Sequence, residues 1–296
     1  IGINIGVNET RIGLVDVHQK LLACRKIRTK AERPAGEVIR EIGQQTLALL
    51  EECRIPMDQC VCAGISVPGT VDQRKGVVCY SNNIRWKQVE LAKQMSGYLP
   101  IPVRIANDAD CAALGEAIAG AGKEYQDVVM LTLGAGVGSG VILDGEICAG
   151  KNIGGNELGH MVIVENGETC TCGRRGCLEA YVSVRALIRD ARAAAGQEMT
   201  PEEIFRQAAS GDVRFEELID RYARRLGNGL VNIVNIFRPQ LILLGGELSE
   251  QVETLLPVLR GMLKEGCFGG ADSEYPDIEI AALGNDAGVI GAAGLV

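Results

Sequence analysis

The chain has 296 residues, 47 % apolar and 23 % charged, with 38 acidic against 30 basic side chains and a net charge of −8. These proportions exclude a disordered chain, and no run of 18 apolar residues suggests a membrane span. An acidic chain is also a poor partner for nucleic acid, whose non-specific binding rests on neutralising phosphates. The length predicts two domains or one large bilobal unit. Eleven cysteines, most of them isolated among apolar residues (Cys24, Cys60, Cys62, Cys111, Cys148), fit a reduced cytoplasmic protein better than a disulfide scaffold. Residue 1 is Ile, so the natural start is expected to lie upstream.

In chain order, Ile1–Val7, Thr10–Asp16 and Leu21–Arg28 read as an antiparallel meander, and Ala35–Cys53 has helical apolar spacing. A buried strand, Val61–Val67, ends at Pro68-Gly69 and is followed by a polar, glycine-containing loop. A helix near Val89–Tyr98, a strand Val103–Ile105 and a helix Ala109–Gly120 complete the first part. Strands Val128–Leu133 and Val137–Leu143 open the second, before a stretch without periodicity over Gly145–Gly176. Helices Val184–Ala195, Pro201–Ser210 and Phe215–Phe237 follow, then strand Leu241–Leu244, Gly245-Gly246 and a further helix. Strands alternating with helices predict an α/β architecture.

Residues 3–15 (INIGVNETRIGLV) and 131–143 (LTLGAGVGSGVIL) echo each other, with Gly6 and Gly134 in the same place. Each reads as strand, tight turn, strand. Two such hairpins are either ordinary glycine turns or a duplicated fold whose turn N–H groups hold a polyphosphate across a shared cleft. The Gly134–Gly140 run is not a dinucleotide fingerprint, because an aliphatic strand rather than a helix follows it.

The cysteine loop carries the strongest local signal. His160 is followed by nine residues, Cys170, one residue, Cys172, four residues and Cys177. Three thiolates and one imidazole make a closed tetrahedral set for Zn2+, which points to a structural metal. In Ala106-Asn107-Asp108-Ala109-Asp110, Asp108 falls at a helix start. There it either caps the helix or serves as a general base at a strand's carboxyl end, where α/β folds place ligands. Glu157 and Glu179 bracket the cysteine loop. They are either solvated charges or, with neighbouring amides and glycines, groups that grip polyol hydroxyls.

Together Pro68-Gly69-Thr70-Val71-Asp72, Tyr80-Ser81-Asn82-Asn83, Asn107-Asp108-Ala109, Gly134–Gly140, Glu157-Leu158-Gly159-His160 and Cys177-Leu178-Glu179-Ala180-Tyr181 resemble the ROK family of repressors and sugar kinases, over essentially the whole chain. The resemblance is nearest to its bacterial glucokinase-like members. It implies an actin-like, ribonuclease-H-like duplicated α/β ATPase fold of two lobes around a cleft. The small lobe would cover 1–122, the larger 123–284 with a zinc loop at 157–179, and a terminal helix at 285–296 would pack back on the first. The implied reaction is ATP-dependent, Mg2+-assisted phosphorylation of the 6-hydroxyl of glucose or a related hexose, with Asp108 as base. Gly69, Asn83, Asn107, Asp108, Glu157, His160 and Glu179 would contact the sugar. Gly6, Asn8, Gly134, Ala135, Gly136 and Gly138 would meet ATP phosphates, with Gly245 and Gly246 near its base or ribose. His160, Cys170, Cys172 and Cys177 would hold a structural Zn2+, and a homodimer is common in the family.

Departures concentrate in the first hairpin. Family kinases usually read Asp-x-Gly-Gly-Thr-Lys where this chain has Asn4, Ile5, Gly6, Val7, Asn8 and Glu9. Glu9 reverses a charge. At about 6 Å and an effective dielectric near 20, one unit charge acts on another by roughly 3 kcal/mol, but far less if the side chain faces solvent. Ala135 also stands for the usual Thr, Asp110 for Asn, and Leu178 for a frequent Trp. The kinase reading is therefore set beside an alternative: a sugar-sensing regulator domain with impaired catalysis, lacking its DNA-binding module.

Overall fold

The computed structural model describes residues 1–150, 154–269 and 274–295. The chain folds as two compact units: Ile1–Gln126, Gly140–Asn156 and Ala282–Val296 form the first, Asp127–Ser139 and Glu157–Ala281 the second. The expected lobes differ from these units chiefly over 140–156. That segment packs with the first unit because Gly140 lies against helix backbone, where an added Cβ would stand 2.6 Å from Ala109 O. Residues 151–153 and 270–273 of the expected larger lobe, and Val296 of the expected terminal helix, lie outside the described residues.

In the first unit, β1 (Gly2–Ile5), β2 (Glu9–Val15) and β3 (Leu21–Arg28) form the expected antiparallel meander. Strands β4 (Ala63–Val67) and β8 (Val103–Asn107) extend it in parallel, in the order β3-β2-β1-β4-β8. Every residue of β4 is buried, as a central parallel strand requires. Fully buried Ile3, Ile5, Ile12 and Ile65 meet Val38, Ile39 and Ile42 of α1 (Ala35–Glu52). The expected polar loop after Gly69 is instead a small antiparallel sheet of β5 (Thr70–Asp72), β6 (Val77–Ser81) and β7 (Trp86–Val89). Its strands are too short for a periodic signal, and its apolar anchors Val78, Ile84 and Trp86 are spread among exposed residues. Helix α2 (Leu91–Met95) is shorter than expected because β7 takes Val89 and the helix ends at Met95.

Helix α3 (Asp108–Ala119) packs directly on α10 (Ala287–Ala293). The backbones nearly touch: a Cβ at Gly291 would lie 1.7 Å from Cys111 O, and one at Gly115 2.1 Å from Ala287 O. Small residues are required on both faces. Gly291→Ala is expected to cost about 1–3 kcal/mol of folding free energy through overpacking, read as a lowered urea midpoint with an unchanged m-value.

In the second unit, β9 (Val128–Leu133), β12 (Leu241–Gly245) and β13 (Asp277–Ile280) run parallel. β10 (Val137–Leu143) begins there and continues into the first unit, where it pairs with β11 (Glu146–Ile147). The strand order β11-β10-β9-β12-β13 repeats that of the first sheet position for position. The echo in the sequence is thus a duplication of topology. Helices α4 (Glu179–Val182), α5 (Val184–Ala195), α6 (Pro201–Ala209), α7 (Val213–Phe237), α8 (Ser249–Glu253) and α9 (Leu256–Gly266) cover this unit. Helix α6 starts with a full Thr200–Glu203 capping box. Strand β13 carries no signal that set it apart from a loop, since only Ile278 of its four residues is fully buried.

Candidate active site

The junction of β8 and α3 positions the proposed base. Asn107, not Asp108, caps the helix: its Oδ1 accepts from Ala109 N at 2.8 Å and from Asp110 N at 3.4 Å. Its Nδ2 donates to Gly69 O at 3.0 Å, which ties the β4–β5 corner to the helix start. The neighbour supplies the cap, and Asp108 Oδ1 accepts the adjacent Ala109 N–H at 3.1 Å. The residue is exposed. Partial desolvation by the surrounding atoms nevertheless raises its carboxyl pKa, opposed by hydrogen bonds from the Ala109 and Asp108 amides and the Asn107 side chain. Gly69 is glycine for a steric reason: its φ is +110°, and a Cβ would stand 2.3 Å from Tyr80 O.

The first hairpin turn is locked by Thr29, just past the end of β3. Gly6 N donates to Glu9 O at 3.0 Å, while Thr29 donates its hydroxyl to Gly6 O at 2.7 Å and its N–H to Asn8 O at 3.0 Å. Asn4 accepts from Ser66 Oγ at 3.0 Å. Glu9 does not stand as a bare negative charge: Arg11 Nε donates to it at 2.9 Å, and Arg11 also reaches Asp286 at 2.8 Å. Val7, Asn8 and Asn83 line one hollow of about 460 Å³ with Arg28, Lys30 and Arg85. The structure thereby brings together two predicted site residues, Asn8 and Asn83, that are 75 positions apart.

In the second unit, the turn after β9 closes with Gly134 N donating to Gly136 O at 3.0 Å, and Gly134 O accepts from Val184 N at 2.8 Å. Ala135 is its exposed tip, and Gly138 follows within β10. Gly245 and Gly246 come to the same place. Gly246 turns at a φ of +91°, with a would-be Cβ 2.7 Å from Leu133 N and O, beside the start of the turn. The 3-10 turn Leu158–His160 is pinned to β10: Leu158 N donates to Ser139 Oγ at 3.0 Å, and a Cβ at Gly159 would stand 2.2 Å from Val137 O. Glu157, just before it, is exposed. Glu179 is buried, in contrast to the solvated first-turn alternative. Its Oε2 accepts from Val137 N at 3.1 Å, and its Oε1 accepts from the Thr171 hydroxyl and, at 3.5 Å, from Cys170 Sγ. One carboxylate therefore joins the phosphate-type turn to the cysteine loop.

His160, Cys170, Cys172 and Cys177 offer four donor atoms within 4.8 Å of one another. Cys170 Sγ lies 3.4 Å from His160 Nδ1, and Cys172 Sγ 3.7 Å from Cys177 Sγ. A tetrahedron with metal–sulfur bonds of about 2.3 Å has edges of about 3.8 Å, so the set fits one metal ion. Local chain geometry brings the donors round: Gly173 and Gly176 have φ of +84° and +82°, and Cys170 N donates to Arg174 O at 2.8 Å. Gly6, Asn8, Gly69, Asn83, Asn107 and Asp108 thus belong to the first unit, and the metal donors, Glu157, Glu179 and the later glycines to the second. Reading the sequence missed Ser139, Thr171 and Thr29, whose partners Leu158, Glu179 and Gly6 are not adjacent in the chain, and the cations Arg28 and Lys30.

Comparison with known proteins shows the family. The ROK family model matches residues 1–296. The chain belongs to the ROK family. A glucokinase from Streptomyces coelicolor is 32 % identical over 100 % of this chain and 96 % of its own. The ROK hexokinase of Thermus thermophilus superimposes with a TM-score of 0.88 at 31 % identity, over 99 % and 95 % of the two chains. A Streptomyces griseus ROK glucokinase, solved with glucose and AMPPNP, gives 0.79 at 29 % identity, over 100 % and 98 %. A xylose repressor from Bacillus subtilis is 29 % identical over 79 % of this chain and 60 % of its own. The fold is the actin-like α/β ATPase fold of this ROK family. Among the described residues no helix is long and apolar enough to cross a membrane.

Proposed function

We propose that this ROK protein is an ATP-dependent, glucokinase-like hexose kinase, and that Asp108 is its general base. The observation that carries this reading is the division of labour at the start of α3. Asn107 satisfies the helix N–H groups, leaving Asp108 with a carboxylate of raised pKa and no ion-pair partner among the described residues. Such a group suits proton removal from an alcohol near neutral pH. The 6-hydroxyl oxygen of the sugar forms a bond to the γ-phosphorus as the bond from that phosphorus to the β-bridging oxygen breaks. The hydroxyl proton passes to Asp108 Oδ, and ADP leaves. Transfer of this kind depends mainly on positioning and charge stabilisation.

Gly69, Asn83, Asn107, Glu157, His160 and Glu179 are proposed to hold the sugar. The Gly6–Asn8 and Gly134–Gly138 turns are proposed to face the phosphates of Mg-ATP, with Gly245 and Gly246 at the nucleoside. The four donors of the cysteine loop are proposed to bind Zn2+, which would supply a structural crosslink in a loop that has little core of its own. His160 would bind through Nδ1, leaving Nε2 for a sugar hydroxyl. The test is coupled ADP release with a panel of hexoses and Mg-ATP. Turnover that vanishes in Asp108→Ala supports the reading; sugar binding without turnover in the native protein would move it to a regulator.

That second reading has its own observation, the altered first hairpin. Here Glu9 decides little, because it is already paired with Arg11, which it shares with Asp286. An exposed pair of this kind is worth at most about 1 kcal/mol. Glu9→Lys is therefore expected to change the KM for ATP by no more than roughly fivefold. A fall of a hundredfold in KM on restoring the lysine would show instead that Glu9 opposes the nucleotide directly.

A further inference from the structure

Two of the four buried side-chain atoms without a hydrogen-bond partner among the described residues stand on facing positions of the small sheet. They are Ser81 Oγ and Trp86 Nε1. Ser81 ends β6 and Trp86 opens β7, and the two are directly opposed across the antiparallel pair. Side chains so placed share one face of a sheet, with Cβ atoms about 4.5–5.5 Å apart. Here that face is the buried one: Ser81 is wholly buried, and Trp86 is 3 % exposed, in the same core cluster as Val78 and Ile84. A buried indole N–H and a buried hydroxyl left unpaired each oppose folding, and folded proteins satisfy such groups with protein atoms or ordered water. The indole can only donate, whereas the hydroxyl both donates and accepts. One water molecule serves both groups: its oxygen accepts from Nε1, and it makes a second hydrogen bond with Oγ.

We propose that Ser81 Oγ and Trp86 Nε1 bind one ordered water between them, and that this bridge positions the Asn82–Arg85 turn and the β4–β5 corner at Gly69. The turn joins the two residues, carries Asn83 and ends on Arg85 in left-handed backbone, φ 58°. Gly69 lies directly against Ser81: an added Cβ would stand 2.8 Å from Ser81 Cα and 2.9 Å from Ser81 Cβ. The same corner gives its carbonyl to the Asn107 amide, beside Asp108. Ser81 and Trp86 are therefore positioning residues, which act through Asn83 and Gly69 from within the core. Only the consequence for sugar binding rests on the kinase reading.

Trp86 is the chain's single tryptophan, so its indole N–H gives one resonance and its emission reports one place in the fold. In isotopically labelled native protein without ligand, that proton should show a cross-relaxation peak to a long-lived water. Ser81→Ala should weaken the peak, shift the Trp86 emission to the blue and lower the heteronuclear NOE across the Asn82–Arg85 turn. Its loss in Tm, about 2–4 °C, should fall to less than half in a Trp86→Phe background, where the shared bridge is already broken. With hexose and Mg-ATP, Ser81→Ala should raise the sugar KM roughly threefold and leave kcat and the KM for ATP within about twofold. An indole proton with no water contact, Tm losses that simply add, or a turn whose NOE stays native in Ser81→Ala overturns the proposal. The water contact needs no variant, so it decides the matter should Trp86→Phe fold poorly. These readouts need neither sugar nor nucleotide, so absence of turnover in the native protein speaks only against the kinase reading.

Discussion

Asp108→Asn is expected to lower kcat for hexose phosphorylation by about 10²–10⁴-fold, the usual contribution of a positioned general base, while leaving sugar affinity within a few-fold. The amide keeps the shape and the acceptor oxygen that meets the Ala109 N–H, but it cannot take a proton. The pH dependence follows from the raised pKa. A base works only when deprotonated, so kcat/KM in the native enzyme should fall on the acid side at a pH above the ordinary aspartate range. Stability moves in the opposite sense. A carboxyl whose folded pKa exceeds its unfolded pKa binds its proton more tightly when folded. Folding therefore weakens as pH rises from the unfolded value through the folded one. Asp108→Asn removes that penalty, so its Tm at neutral pH should equal or exceed that of the native protein. A variant that loses activity and Tm together would indicate a structural role for Asp108 and sink its assignment as base.

Cys177→Ser is expected to abolish metal binding and to damage the nucleotide side of the protein as well. Native protein should contain one zinc per chain by atomic absorption, and the variant close to none, because a closed four-donor site loses a ligand. Destabilisation should be on the order of 3 kcal/mol. That is well below a full structural-zinc binding energy, since the loop can open locally without unfolding the chain. The consequence for nucleotide follows from Glu179. This buried carboxylate accepts from Thr171 in the loop and from Val137 N at the end of the second hairpin turn. An opened loop removes one anchor of the carboxylate that holds the turn. Affinity for an ATP analogue, measured without sugar, should therefore weaken by about tenfold. Metal-free protein with native Tm and native nucleotide affinity would show that the loop is independent of the hairpin.

Much of this was legible before any coordinates. The cysteine loop was readable because donor type and spacing fall within 18 residues, and the paired hairpins because each is a local strand–turn–strand unit. Asn107-Asp108 was legible as a helix start but not as a division of roles. Deciding which residue caps required Gly69, 38 positions away, whose carbonyl occupies the Asn107 amide. The short sheet β5–β7 was read as loop because its strands depend on burial of scattered anchors rather than on alternation.

The sequence by itself determined the order of strands and helices, the duplication and the metal-type donor set. Each of these rests on chain-local geometry: periodicity, turn chemistry and ligand spacing. Only the tertiary structure decided which polar atoms are already satisfied and which remain available. It paired Glu9 with Arg11, buried Glu179 between turn and loop, gave the α3 cap to Asn107 and gathered Arg28, Lys30 and Arg85 around one hollow. A polar group's chemistry depends on whatever stands within a few ångströms of it, and folding brings those neighbours from distant parts of the chain.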